Sequence, residues 1–143
     1  MDVELLKDVV DYGIIGLLAF MGFISILFYI ERLLFYKSID LRDYNNKHQL
    51  QIDISNHLTY LSTTASNAPY IGLLGTVFGI IITFYTMGQT GNIDVKIIMS
   101  SLGLALKATA MGLLVAIPSM VFYNHLIRKV DVIEAKWDMI HND

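Results

Sequence analysis

Residues 12–30 read YGIIGLLAFMGFISILFYI, nineteen consecutive side chains without a charge, bounded by Asp11 on one side and Glu31-Arg32 on the other. At about 1.5 Å per residue, a helix of that length covers roughly 28 Å, close to a hydrocarbon thickness of about 30 Å. This run decides the fold class. Two more follow it. One lies within Tyr70–Gly88 and opens at Pro69; the other begins near Ile98, has Ser101–Phe122 as its window, and fades at His125–Arg128 with Lys107 as its only interior charge.

The composition agrees. Of 143 residues, 55% are apolar before the ten glycines are counted, and only 16% are charged, against about 25% in soluble domains. A soluble chain this small needs polar surface to cover its core. The mean hydropathy of +0.55 and the pI near 5.7 exclude disorder and a basic nucleic-acid surface. There is no cysteine, so disulfides and thiolate metal sites are out.

The expected architecture is all-α, a single integral membrane domain over 1–143 with three transmembrane helices. Its parts are an outer amphipathic segment (1–11), span one (12–30), a cytoplasmic loop (31–68), span two (69–88), an outer turn (89–97), span three (98–126) and a cytoplasmic helical tail (127–143). Spans two and three extend into the cytoplasm. The leader from Asp2 to Asp8 is acidic where a secretory signal is basic, so span one is expected to be retained. Val3, Leu6 and Val10 suit a short helix on the membrane surface, with a frayed terminus as the alternative.

Lysine and arginine set the orientation. Arg32, Lys37, Arg42, Lys47, Arg128, Lys129 and Lys136 lie on the loop and tail side, and only Lys7 and Lys96 lie on the other. The C-terminus is therefore expected in the cytoplasm and the N-terminus outside. In the tail, Val130, Ile133, Trp137 and Ile140 step by 3, 4 and 3, an apolar stripe suited to packing against neighbouring helices.

Span two carries Gly72, Thr76, Gly79, Thr83 and Thr86 on one helix face; span three carries Ala105, Thr109, Gly112, Ala116 and Ser119. Small residues let helix backbones approach closely where lipid supplies no hydrophobic force. Gly72, Gly75, Gly79, Gly112, Ala116 and Pro118 are the expected packing positions. Pro118 also frees the carbonyl of Leu114 and can kink span three, whereas Pro69 suits a helix start. Lys107 lies two residues before Thr109, roughly 200° around the helix. It is read as an inter-subunit or lipid contact, or as a lysine reaching back to the interface.

No Asp, Glu or His lies within Tyr12–Ile30, Tyr70–Gly88 or the Ser101–Phe122 window, yet proton relays through membranes run on those side chains. Proton flow would therefore need a second chain to bring the carboxylate, with Thr76 and Thr109 able to hydrogen-bond to it or hold water beside it. The histidines at 48, 57, 125 and 141 match no metal spacing, and no phosphate-cradling motif or nucleophile–base pair is present. No enzymatic activity, metal or cofactor is expected.

The stretch from Ala68 to Ile80, APYIGLLGTVFGI, closely resembles the second-span signature of the ExbB/TolQ family. Ala108 to Ser119, ATAMGLLVAIPS, is similar to the third-span signature, and the matching Tyr123-Asn124 follows. The resemblance covers roughly Ala68–Arg128 and looks more like ExbB than TolQ. It implies an inner-membrane motor subunit of Gram-negative bacteria, five copies ringing single-span helices of an ExbD-type partner whose intramembrane aspartate carries the proton. The motor energises TonB for outer-membrane import, and the family's two pore-facing threonines fall on Thr76 and Thr109. One departure stands out: many relatives have a glutamate five residues before the third-span threonine, where this chain has Leu104. The rival readings are a TolQ-type subunit driving envelope constriction, a non-conducting membrane scaffold, and a small-solute channel formed by this chain alone.

Overall fold

The computed structural model describes residues 3–91 and 93–141. Met1 and Asp2 of the leader, Asn92 of the outer turn and Asn142-Asp143 of the tail lie outside them. Four α-helices follow in order: α1 (Val3–Ser38), α2 (Lys47–Ser55), α3 (Leu58–Thr90) and α4 (Val95–His141), with a short 3-10 turn at Leu41–Asp43. Helices α1, α3 and α4 are long and apolar enough to cross a membrane. They run about 54, 50 and 70 Å, so each protrudes beyond a hydrocarbon layer of about 30 Å. The chain is an all-α membrane protein.

α3 runs antiparallel to α4 and to α1, and its closest approach is to α4. A Cβ built on Gly72 would stand 2.5 Å from the carbonyl oxygen of Ala108 and 3.1 Å from the Cα of Gly112. The clash is reciprocal, since a Cβ on Gly112 would stand 2.5 Å from the carbonyl of Ala68 and 3.1 Å from the Cα of Gly72. Gly75 and Gly79 continue the seam against the methyl groups of Ala108 and Ala105. Two backbones meet here because neither carries a side chain at the crossing. Ala68 and Ala116 close the seam below, in a cluster with Leu18 and Val115 that brings in α1.

Two expectations change. Pro69 does not start a helix; α3 begins eleven residues earlier and runs through it. Proline lacks an N–H and leaves the Ala65 carbonyl without its usual helical donor, at a cost of about 3 kcal/mol. Anchorage on both sides holds the helix through that fault. Leu58, Leu61, Thr64, Ala65 and Ala68 are buried before or beside the proline, and the glycine seam grips it after. The polar string between Thr59 and Asn67 disguised a buried face. In addition, Val3, Leu6 and Val10 form no separate element; they belong to the first turns of the continuous helix α1.

Beyond the spans, the ends of α1, α3 and α4 close around α2. Leu50, Ile54, Leu58, Leu61, Leu126, Val130 and Trp137 form the core of this end. Of the tail stripe, Val130 and Trp137 are buried, Ile133 is half-buried and Ile140 stays exposed. Trp137 donates its indole N–H to the Tyr44 carbonyl at 3.0 Å. Lys47 pairs with Asp138 at 3.1 Å. Arg32 is 4% exposed; its guanidinium donates to both Glu31 oxygens and to the Asp53 carbonyl at 2.7 Å, and lies over the Phe35 ring. Planar donors pointing several ways are what allow an arginine to be buried here.

The chain passes from α2 into α3 at His57, which has φ 71 without being glycine. That left-handed conformation costs roughly 1–2 kcal/mol, and the His57 ring stacks on Phe28 at 4.2 Å, holding it there. At the other end, Gly91 (φ 67) caps α3 by donating its N–H to the Met87 carbonyl at 2.9 Å, a conformation glycine takes at no steric cost.

Two outcomes test this packing. Gly72→Ala and Gly112→Ala should each destabilise by about 1–3 kcal/mol, because the atoms in the way are backbone. Gly88→Ala, in open space, should be neutral or slightly stabilising. Thermal melting followed by the single tryptophan distinguishes them, and equal melting of all three would remove the crossing as a constraint. The second concerns Tyr44, whose hydroxyl donates to Asp53 Oδ2 at 2.7 Å. That bond first, then burial and the nearby carboxylates, pushes the phenol up from 10.0 to about 12. Folding thus holds the proton above its ordinary value, so this stabilisation is complete below pH 10 and lost as pH climbs towards 12. Tyr44→Phe should flatten the alkaline fall of the melting temperature; an unchanged slope would show that the bond does not matter to folding.

Candidate functional site

Three threonines lie on the small face of α3, and they behave differently. Thr83 and Thr86 donate to carbonyls of their own helix, Gly79 and Ile82, each at 2.8 Å. Thr76 reaches across the seam. Its Oγ1 lies 2.8 Å from the Ala105 carbonyl of α4 and 2.5 Å from the Thr109 hydroxyl, with the Gly72 carbonyl further off at 3.4 Å. A carbonyl only accepts, so Thr76 gives its one proton to Ala105, and Thr109 donates to Thr76. The result is a directed chain from Thr109 through Thr76 to Ala105. Thr76 is buried, and Thr109 is half-buried at its open end.

This polarity leaves Thr109 Oγ1 with its donor used and its lone pairs free of protein donors among the described residues. A protonated carboxylic acid or a water molecule is the complementary group. The seam brings together Thr76, Thr109, Gly72, Gly75, Gly79 and Gly112, with Ala116 buried beneath them. Pro118 is not among them; it is exposed on the side of α4 that faces α1.

Lys107 is exposed and on a different side of α4 from the hydroxyl chain. It lines a groove of about 480 Å³ with the first turns of α1, including Asp8 and Asp11, and with Leu104. No ion pair of Lys107 forms among the described residues. Its facing acids come from the leader, which sequence reading had set apart as a surface segment.

A second buried hydroxyl pair was not foreseen. Ser119 Oγ of α4 lies 3.2 Å from Ser25 Oγ of α1, and each donor also reaches a carbonyl of its own helix, Val115 and Met21. Ser25 stands alone as an aliphatic hydroxyl in span one, and that isolation was the available signal. Nearer the loop end, the Tyr29 hydroxyl lies 2.8 Å from His125 Nδ1.

Residues 30–139 match the MotA/TolQ/ExbB proton channel family. The chain belongs to that family. It is 51% identical over 137 residues to an ExbB-like biopolymer transport protein 2 of Helicobacter pylori, covering 96% of this chain and 91% of the relative. It is 48% identical over 140 residues to the biopolymer transport protein ExbB of Aquifex aeolicus, covering 98% and 95%. The Tol-Pal system protein TolQ of Haemophilus influenzae is 40% identical over 81 residues, 57% of this chain and 36% of that one. With three apolar crossing helices, family membership makes this a multi-pass inner-membrane protein of the transport-channel type. The matches span nearly the whole length of the first two relatives.

Proposed function

We propose that this chain is the ExbB-type subunit of an inner-membrane motor that uses the proton-motive force to energise import across the outer membrane. Copies of it form a ring, five by family resemblance, around single-span helices of an ExbD-type partner, and the motion is passed to a TonB-type protein. The loop and tail lie in the cytoplasm and the N-terminus in the periplasm, as the lysine and arginine distribution favours. The observation that carries this reading is the hydroxyl chain ending at Thr109. It places a hydrogen-bond acceptor at the open edge of a glycine seam, in spans that hold no carboxylate of their own.

The division of labour follows from the chemistry. The partner's carboxylate titrates; this chain supplies an acceptor that favours the protonated acid, the form that can cross an apolar layer at least cost. Each proton moving through 100 mV supplies about 2.3 kcal/mol, so work on a distant receptor takes several. The matches to the Helicobacter pylori and Aquifex aeolicus relatives span nearly the whole chain, whereas the TolQ match spans 57% of it, which favours the TonB load over the Tol load.

The test is uptake of a labelled iron chelate or cobalamin in a strain deleted for this chain and rescued with variants. Thr76→Val and Thr109→Val should assemble with the partner, yet reduce accumulation to the protonophore-treated level, while Thr109→Ser should retain transport. Full transport by both valine variants would leave a non-conducting scaffold as the better reading. Normal uptake in the deletion strain, with no second copy of the gene, would shift the load to the Tol type.

Lys107 gives a separate outcome. With its ammonium exposed and in no ion pair among the described residues, its partner on this reading is a neighbouring subunit or lipid. Lys107→Ala should lower the yield of assembled complex on purification. Wild-type yield and transport would instead leave it as a lysine reaching for the membrane surface.

A further inference from the structure

On the side of α4 facing α1, an apolar groove and a group of cations follow one another. Within the span, Leu114, Pro118 and Phe122 of α4 and Gly22, Phe23 and Ile26 of α1 line an open groove of about 340 Å³. Past Phe122 the same face continues through His125, Lys129 and Lys136, which with Arg128 and Tyr36 border a second hollow of about 370 Å³. Steps of three and four residues keep both hollows on one face of one helix. Between them, Tyr29 stacks on Phe122 at 4.2 Å and hydrogen-bonds His125. An aromatic body with a polar tip belongs at the level of lipid headgroups.

Among the described residues Arg128, Lys129 and Lys136 form no ion pair. The ion pairs among the described residues are Arg32–Glu31, Arg42–Asp40 and Lys47–Asp138, and no carboxylate lines the second hollow. Helical side chains tilt towards the helix N-terminus, which for α4 means towards the membrane. Arg128 stands about 9 Å beyond Phe122, within reach of a headgroup phosphate.

We propose that these two hollows form one binding site for an anionic diacyl phospholipid, its phosphate held by Arg128 and Lys129, with Lys136 adding its charge about 12 Å further along α4 and one acyl chain lying along the groove between α1 and α4. A neutral or zwitterionic lipid would fill the groove but leave the three charges uncompensated. The inference rests on the membrane-spanning fold and not on the proton-motor reading, so the two can fail separately.

The experiment uses the assembled full-length protein in nanodiscs doped with phosphatidylglycerol or, at equal content, phosphatidylcholine. Retained lipid is counted by native mass spectrometry, and melting is followed by tryptophan fluorescence. Phosphatidylglycerol should be retained selectively and should raise the melting temperature, and soluble glycerol 3-phosphate should not displace it. R128Q/K129Q/K136Q should lose affinity for phosphatidylglycerol by about 100-fold, near fivefold for each cation, while melting normally in phosphatidylcholine. If the triple variant fails to fold, the single glutamine variants should each show the fivefold loss. K37Q/R42Q should bind as wild type does, whereas Ile26→Trp, which fills the groove without altering charge, should reduce retention. Equal retention of the two lipids by wild type, or unchanged retention in the triple variant, overturns the proposal. Unchanged retention in Ile26→Trp removes the groove from it and leaves only diffuse surface attraction.

Discussion

Everything in the seam between α3 and α4 depends on the absence of two side chains. At Gly72 and Gly112 each helix presents bare backbone to the other, close enough that one added methyl on either would meet a carbonyl oxygen at 2.5 Å. Only at that separation does the Thr76 hydroxyl, four residues along α3, reach the Ala105 carbonyl and the Thr109 hydroxyl. A wider seam would return Thr76 to the carbonyl of its own helix, as happens at Thr83 and Thr86. The polar chain is therefore a product of steric fit.

The same logic governs the other buried polar groups. Inside a bilayer an unsatisfied hydroxyl costs several kcal/mol, and among the described residues no buried side-chain polar atom lacks a partner. Ser25 and Ser119 meet between α1 and α4 at 3.2 Å, their two protons shared among that contact and the carbonyls of Met21 and Val115. Two helix pairs are thus each registered by a hydroxyl contact, one on either side of α4. Interhelical hydroxyl bonds in membranes contribute only about 0.6–2 kcal/mol, so they fix register more than they drive association.

The fold was legible because a membrane imposes a crude test: long runs without charge must be helices that cross. The small stripes were legible too, since glycine and threonine at spacings of three and four have few other uses in an apolar helix. What escaped reading was the polar end of the fold. Arg32 looked like a boundary charge, yet it is buried, because Glu31, the Asp53 carbonyl and the Phe35 ring surround it. Of these, Asp53 comes from α2, and no periodicity along α1 could announce it. Pro69 escaped for a related reason: proline is a local signal for a helix start, and here tertiary anchorage on both sides overrules it.

These contacts also limit which parts can move. Along α3 and α4 the seam is locked at three heights: at Gly79 against Ala105, at Gly72 against Gly112, and at the loop end, where Leu58, Leu61, Leu126 and Val130 share one core. Sliding one helix past the other by a turn would drive a glycine seam into the bulky side chains that flank it, since packed interfaces are bistable and not continuously deformable. Trp137 and Lys47 tie the tail of α4 to the segment around α2 as well. The chain therefore behaves as a stiff unit from its seam to its tail. On the proposed reading, motion driven by a proton gradient would have to occur at the outer surfaces of such a unit. Thr109, half-buried at the edge of the seam, stands at one of those surfaces.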